Sequence, residues 1–179
     1  MKALLIIDVQ RDYFLGGKCE LVGTAKAMAH IKTVLCRFRE LGYPVIYVQH
    51  INERAGATFF LPNTDGVEIC GEIAPRDGEP VVIKHAPNSF YQTELFDLLR
   101  KRSIDELVVC GMMTHMCIDT TVRAAKDHGI PITLLYDACA TKDLAIMGTT
   151  IPASTVHDAY MAGLSGMFAQ VLLTDNLTF

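Results

Sequence analysis

The feature that most constrains this chain is a series of short, continuous apolar runs at residues 3–7, 45–48, 81–83, 107–110, 132–136 and 168–173. A strand with one wet face alternates polar and apolar residues, so runs without alternation indicate strands covered on both faces. Between them the apolar spacing changes to steps of three and four. Met28, Ile31, Leu35, Phe38 and Leu41 mark one helix, stopped by Gly42 and Pro44. Leu95, Leu98 and Leu99 mark a second, opened by Thr93 and Glu94, and Ile118, Val122 and Ala125 a third, closed by Gly129-Ile130-Pro131. A fourth spans about 154–166, with Val156, Ala159, Tyr160 and Leu164 on one side. Strand and helix in alternation predict an α/β domain with a parallel sheet and helices on both faces.

Composition bounds the partners. The 179 residues, half apolar and a fifth charged, suffice for one domain spanning 1–179 with a full core. A net charge of −4 gives no basic surface for nucleic acid or an anionic membrane. The densest basic run, Arg100-Lys101-Arg102, reads as the exposed cationic end of a helix. The opening MKALLIIDVQRDYF lacks the apolar segment and cleavage site of a signal peptide, and no stretch approaches the roughly 20 apolar residues of a membrane span. Cysteines at 19, 36, 70, 110, 117 and 139 form no CxxC pair and no zinc-finger spacing, which points to reduced thiols and a cytoplasmic protein. The one long irregular stretch, 52–78, carries Gly56, Pro62, Gly66, Gly71 and Pro75 and reads as a lid or binding loop. Phe59 and Phe60 within it either roof a pocket or pack beneath the loop.

Ligands of an open parallel sheet bind beyond the carboxyl ends of its strands. The first five runs end at Asp8, at Gln49-His50, at Lys84-His85, at Gly111 leading to Thr114 and Cys117, and at Asp137. Singly, Asp8 reads equally well as a loop cap, Lys84 as a solvated strand end and Cys117 as a core thiol. Together, a carboxylate, an ammonium and a thiol on one rim form a chemical unit. A thiolate is favoured beside lysine and at a helix N-terminus, and a carboxylate can take the thiol proton and return it to a leaving nitrogen. A Cys-His pair through His115, His50 or His85 is the rival arrangement. His115 is poorly placed for it, because side chains two residues apart diverge at a helix start.

At these residues the chain resembles the isochorismatase-like cysteine hydrolases, among them nicotinamidases, N-carbamoylsarcosine amidase, ureidoacrylate amidohydrolase and streptothricin hydrolase. The resemblance rests on Asp8-Val9-Gln10-Arg11-Asp12-Tyr13-Phe14 (D-x-Q-x-D-F in the family), on Lys84 followed by Asn88-Ser89-Phe90 and Thr93-Glu94-Leu95, on Gly111-Met112-Met113-Thr114-His115-Met116-Cys117-Ile118-Asp119-Thr120-Thr121 (G-x-x-T-x-x-C-[VI]-x-x-T), and on Asp137-Ala138. It implies a three-layer α-β-α fold with a mostly parallel six-stranded sheet in the order 3-2-1-4-5-6. It implies a triad of Asp8, Lys84 and Cys117, with Cys117 attacking an amide-type carbon, Asp8 as general base and then acid, and Lys84 favouring the thiolate. A non-proline cis peptide is implied at Met112–Met113, turning the Met113 N–H toward an oxyanion beside the Cys117 N–H. Beside these, Phe14, Phe90 and Met113 read as substrate-pocket walls or as core, and Gln10 and Thr114 as residues that orient the triad or the substrate. The family resemblance implies a homodimer or homotetramer as the assembly.

Nicotinamidases carry a D-x-H pair after the second strand to hold a metal; here Tyr47-Val48-Gln49-His50-Ile51-Asn52 has none. Neither a metal nor another cofactor is expected, and nicotinamide is disfavoured as substrate. Isochorismatases proper lack the cysteine, so its presence favours a small-molecule amide, ureide or lactam. The alternatives are a non-catalytic or redox-sensing thiol domain, or an isochorismatase- or nicotinamidase-type activity. Asp8 and Lys84 count against a pure binder, and the absence of G-x-G-x-x-G after the first strand counts against dinucleotide binding. Asp12, Asp119 and Asp137 read as structural, His157 as a packing or interface residue, and Cys110 as a buried thiol.

Overall fold

The computed structural model describes residues 1–179. Its strands and helices are β1 (Lys2–Ile7), α1 (Thr24–Glu40), β2 (Val45–His50), β3 (Val81–Lys84), α2 (Leu95–Lys101), β4 (Glu106–Met112), α3 (Asp119–Asp127), β5 (Ile132–Ala140), β6 (Leu144–Ile146), β7 (Thr149–Ile151), α4 (Ala153–Leu164) and β8 (Gln170–Leu172). Six strands form one sheet in the order β3-β2-β1-β4-β5-β8, every neighbouring pair parallel. The expected order holds, with β8 as the sixth strand of this sheet. The three-residue strands β6 and β7 form a separate antiparallel hairpin that the apolar pattern did not reveal.

The central strands are apolar throughout because both faces are covered. Leu4, Leu5, Ile6 and Ile7 are each at most 1% exposed, and burying such a side chain stabilises by about 1.5–3 kcal/mol. Leu4 and Ile6 face a layer built from Met28, Ile31, Leu35 and Phe38 of α1, with Phe60 and Ile73 of the long loop. Leu5 and Ile7 face Leu95 and Leu99 of α2, Val122 and Ala125 of α3, and Met161 and Leu164 of α4. Arg100, Lys101 and Arg102 are exposed at the end of α2, as their charge predicts. No helix is long and apolar enough to cross a membrane.

One boundary difference moves a candidate residue. β5 continues to Ala140 instead of ending at Tyr136, because its register against β4 shifts between Val109 and Gly111. Asp137 therefore lies within the strand. Its carboxylate accepts hydrogen bonds from the Thr174 amide (2.9 Å) and hydroxyl (2.6 Å), a structural role as expected. Near this irregularity Gly111 has φ 126°, and a Cβ there would lie 2.0 Å from the Ile7 carbonyl oxygen. Only glycine lets β4 approach β1 this closely, directly before Asp8.

Candidate active site

Three strands deliver the reactive groups: β1, its neighbour β4, and β3 beyond β2. Asp8 follows β1 with φ 52°, Lys84 ends β3, and Cys117 lies in the turn after β4. That turn, Thr114–Ile118, is one turn of π-helix rather than the start of α3, which begins at Asp119. The Met112–Met113 peptide before it is cis. Asp8 and Lys84 are fully buried, with Lys84 Nζ 2.7 Å from Asp8 Oδ2. Nζ also donates to the Pro87 carbonyl at 2.9 Å. The Cys117 sulfur, an Asp8 carboxylate oxygen and a His50 ring nitrogen lie within 4.8 Å of one another. The strand-end prediction thus brings Asp8, Lys84 and Cys117 into one cluster.

Electrostatics give the groups distinct protonation states. Burial pushes the Asp8 carboxyl up against the opposing pull of Lys84, so it is a better proton acceptor than an exposed carboxylate. Burial opposes the Lys84 ammonium, but the Asp8 carboxylate and the Cys117 sulfur more than offset it, and Lys84 is held charged. Burial, and then the negative charge of Asp8, push the Cys117 thiol far up despite Lys84. The sequence reading expected a thiolate favoured by lysine and a helix N-terminus. Instead the cysteine is 2% exposed and precedes α3, so desolvation wins and the resting group is a thiol. Burial and the nearby Lys84 lower His50 to about 3, leaving its imidazole neutral.

Neighbouring residues hold this arrangement. The buried Gln10 amide accepts from the His50 N–H (2.8 Å) and donates to the His50 carbonyl (2.9 Å) and the Val67 carbonyl (2.6 Å). These bonds tie β2 to the long loop. Asp12 accepts from the Phe60 amide at 2.7 Å and the Lys18 amide at 3.1 Å, so it fastens the same loop. Phe60 is fully buried, its ring 4.5 Å from Tyr13 and 6.0 Å from His50. The loop therefore roofs the centre with Phe60, and His50 lines it. Tyr13, which stands in the Asp8–Phe14 motif without a role of its own there, is the buried ring on which Phe60 packs. Across the sheet, the Thr121 hydroxyl donates to Ser89 Oγ at 2.9 Å and accepts from the Ser89 amide at 3.0 Å, linking the segment after Lys84 to the helix after Cys117.

The remaining candidates are distributed less uniformly. Phe90 packs in the apolar layer that contains Cys117, while Phe14 packs against the opposite layer, which contains Met113. The Thr114 hydroxyl is occupied internally, donating to Ala140 O at 3.3 Å and hydrogen-bonded to His157 Nδ1 at 2.9 Å. Of the histidines weighed as partners for the cysteine, His115 bonds the Thr141 hydroxyl and His85 the Ile51 carbonyl. Asp119 pairs with Arg123, and Cys110 is fully buried, both as expected. Asp8, His50 and Cys117 are a donor set that a soft divalent cation could use. The Lys84 ammonium, 2.7 Å from Asp8 Oδ2, competes with any cation for that carboxylate.

Residues 2–176 match the Isochorismatase domain. The chain belongs to the isochorismatase family. It is thus one of a family of hydrolases. It is 49% identical over 173 residues to the isochorismatase family protein YddQ of Bacillus subtilis strain 168, across 97% of this chain and 96% of that protein. A solved structure described as an isochorismatase hydrolase from Oleispira antarctica is 46% identical with a TM-score of 0.93, covering 97% of this chain and 94% of that one. A streptothricin hydrolase of Streptomyces noursei is 32% identical over 178 residues, 99% of this isochorismatase-family chain and 61% of that protein.

Proposed function

We propose that this protein is a cysteine amidohydrolase that cleaves a C–N bond of a small amide, ureide or lactam through an acyl-Cys117 intermediate. The observation that carries the reading is the buried Asp8–Lys84 pair at 2.7 Å with the Cys117 thiol beside it. Relatives named streptothricin hydrolase, nicotinamidase, ureidoacrylate amidohydrolase and N-carbamoylsarcosine amidase support the amide class.

The resting thiol dictates a concerted start. As sulfur bonds the carbonyl carbon, its proton passes to Asp8, so no free buried thiolate forms in advance. The carbonyl π electrons move to oxygen, where the Met113 and Cys117 N–H groups stabilise the oxyanion. The buried Met113 N–H has no acceptor within the chain and is available for this role. Collapse of the tetrahedral species breaks the C–N bond, Asp8 returns the proton to the departing nitrogen, and a thioester remains. Water, deprotonated by Asp8, then adds to the thioester and releases the acid and the thiol. Lys84 keeps Asp8 ionised between proton transfers.

The test is ammonia or amine release from a panel of primary amides, ureides and lactams, compared with Cys117→Ala. On any accepted substrate, release by the variant should fall to background. Equal release by wild type and variant would overturn the mechanism.

A further inference from the structure

We propose that His157 is a positioning residue that acts through Thr114 to hold the Met113 amide at the oxyanion position. This inference rests on the cysteine amidohydrolase reading. Thr114 directly follows Met113, is fully buried, and lies three residues before Cys117. Its hydroxyl is gripped from two separate elements, by the Ala140 carbonyl of β5 at 3.3 Å and by His157 Nδ1 of α4 at 2.9 Å. On its other side, the Met113 carbonyl accepts the Met116 amide at 3.0 Å and the Ile118 amide at 3.2 Å. The residue carrying the free N–H is thereby clamped at its own carbonyl and at the next side chain. Catalytic donors gain most when they are held where charge develops, and His157 closes the clamp from outside the sheet.

His157 is itself fixed. Its ring packs edge-on against Tyr136, with centroids 4.5 Å apart, and the Tyr136 hydroxyl bonds Asp158 on the same helix. The imidazole also forms part of the wall of a 410 Å³ cleft between α1, β5 and α4, which none of Asp8, Lys84 and Cys117 lines. It touches none of the reacting groups. Its influence runs through one hydrogen bond to Thr114.

Two small probes of Cys117 separate this role from simple structural support. Acylation by p-nitrophenyl acetate passes through an oxyanion, whereas alkylation by iodoacetamide does not. His157→Leu should slow acylation about tenfold, the scale of one lost buried hydrogen bond, and leave alkylation within about twofold. His157→Asn, which returns a polar atom near the Nδ1 position, should restore most of the acylation rate. Thr114→Val should show the same selective loss, and the double variant should be no slower than Thr114→Val alone. Equal loss of both reactions, or losses in the two single variants that multiply, would overturn the inference. A wild type modified at Cys117 by neither probe would remove the cysteine reading and the inference with it. Normal acylation by His157→Leu, with acylation abolished in Cys117→Ala, would remove the inference alone.

Discussion

At the scale of single residues, the Cys117 thiol stays protonated because burial and the Asp8 charge outweigh the attraction of Lys84. An exposed cysteine ionises near pH 8.5, and its alkylation accelerates through that value. Cys117, with its titration displaced upward, should instead react with iodoacetamide at a rate that shows no step between pH 6 and 9. A sigmoidal rise centred near 8.5, followed by intact-mass kinetics, would contradict the assigned protonation state. Asp8, Lys84 and Cys117 were legible in the sequence because each ends or follows an apolar run, and strand ends converge in a parallel sheet. Their protonation states were not, because desolvation depends on what covers the site. The Thr114–His157 bond was equally hidden, since it joins residues 43 positions apart whose types are common in helices and turns.

At the scale of elements, the site depends on β1 and β4 lying closer together than side chains ordinarily allow. The positive φ of Gly111 and the 2.0 Å approach of its missing Cβ to Ile7 O leave no room for alanine. Gly111→Ala should destabilise by about 3 kcal/mol or more, combining backbone strain with overpacking, as measured by urea unfolding. A change below 1 kcal/mol would show that the strands can separate without cost. Strand identity and order were readable from runs covered on both faces. The β6–β7 hairpin escaped because its strands have three residues each and its tip is exposed, with Met147 98% accessible. The π-helical turn holding Cys117 escaped because apolar spacing marks a helix face but not the hydrogen-bond pattern of its first turn.

At the scale of the whole molecule, residues far apart in sequence close over the centre. Phe60 lies on Tyr13, and Asp12 holds the Phe60 amide at 2.7 Å. Gly66 sits so close to the Asp12 carboxylate that a Cβ there would come within 2.2 Å, so the loop fits over that anchor. Asp12→Ala removes the acceptor for two amides. It should lower stability by about 1–3 kcal/mol and speed iodoacetamide attack on Cys117 several-fold by loosening the roof. Unchanged alkylation alongside the stability loss would show that the loop does not guard the thiol. The loop's length and glycines marked it as a cover, but its anchors needed the fold, since Asp12 and Phe60 are 48 residues apart.

In the proposed reaction Cys117 carries the acyl group during hydrolysis. The most direct measurement is rapid acid quenching of the protein with an accepted amide, followed by intact-mass and peptide mapping. The expected result is a mass increase equal to the acyl portion of the substrate, confined to the Cys117 peptide and absent from Cys117→Ala. Turnover of the amide by wild type with no acyl mass on Cys117, or with undiminished turnover by Cys117→Ala, would contradict it.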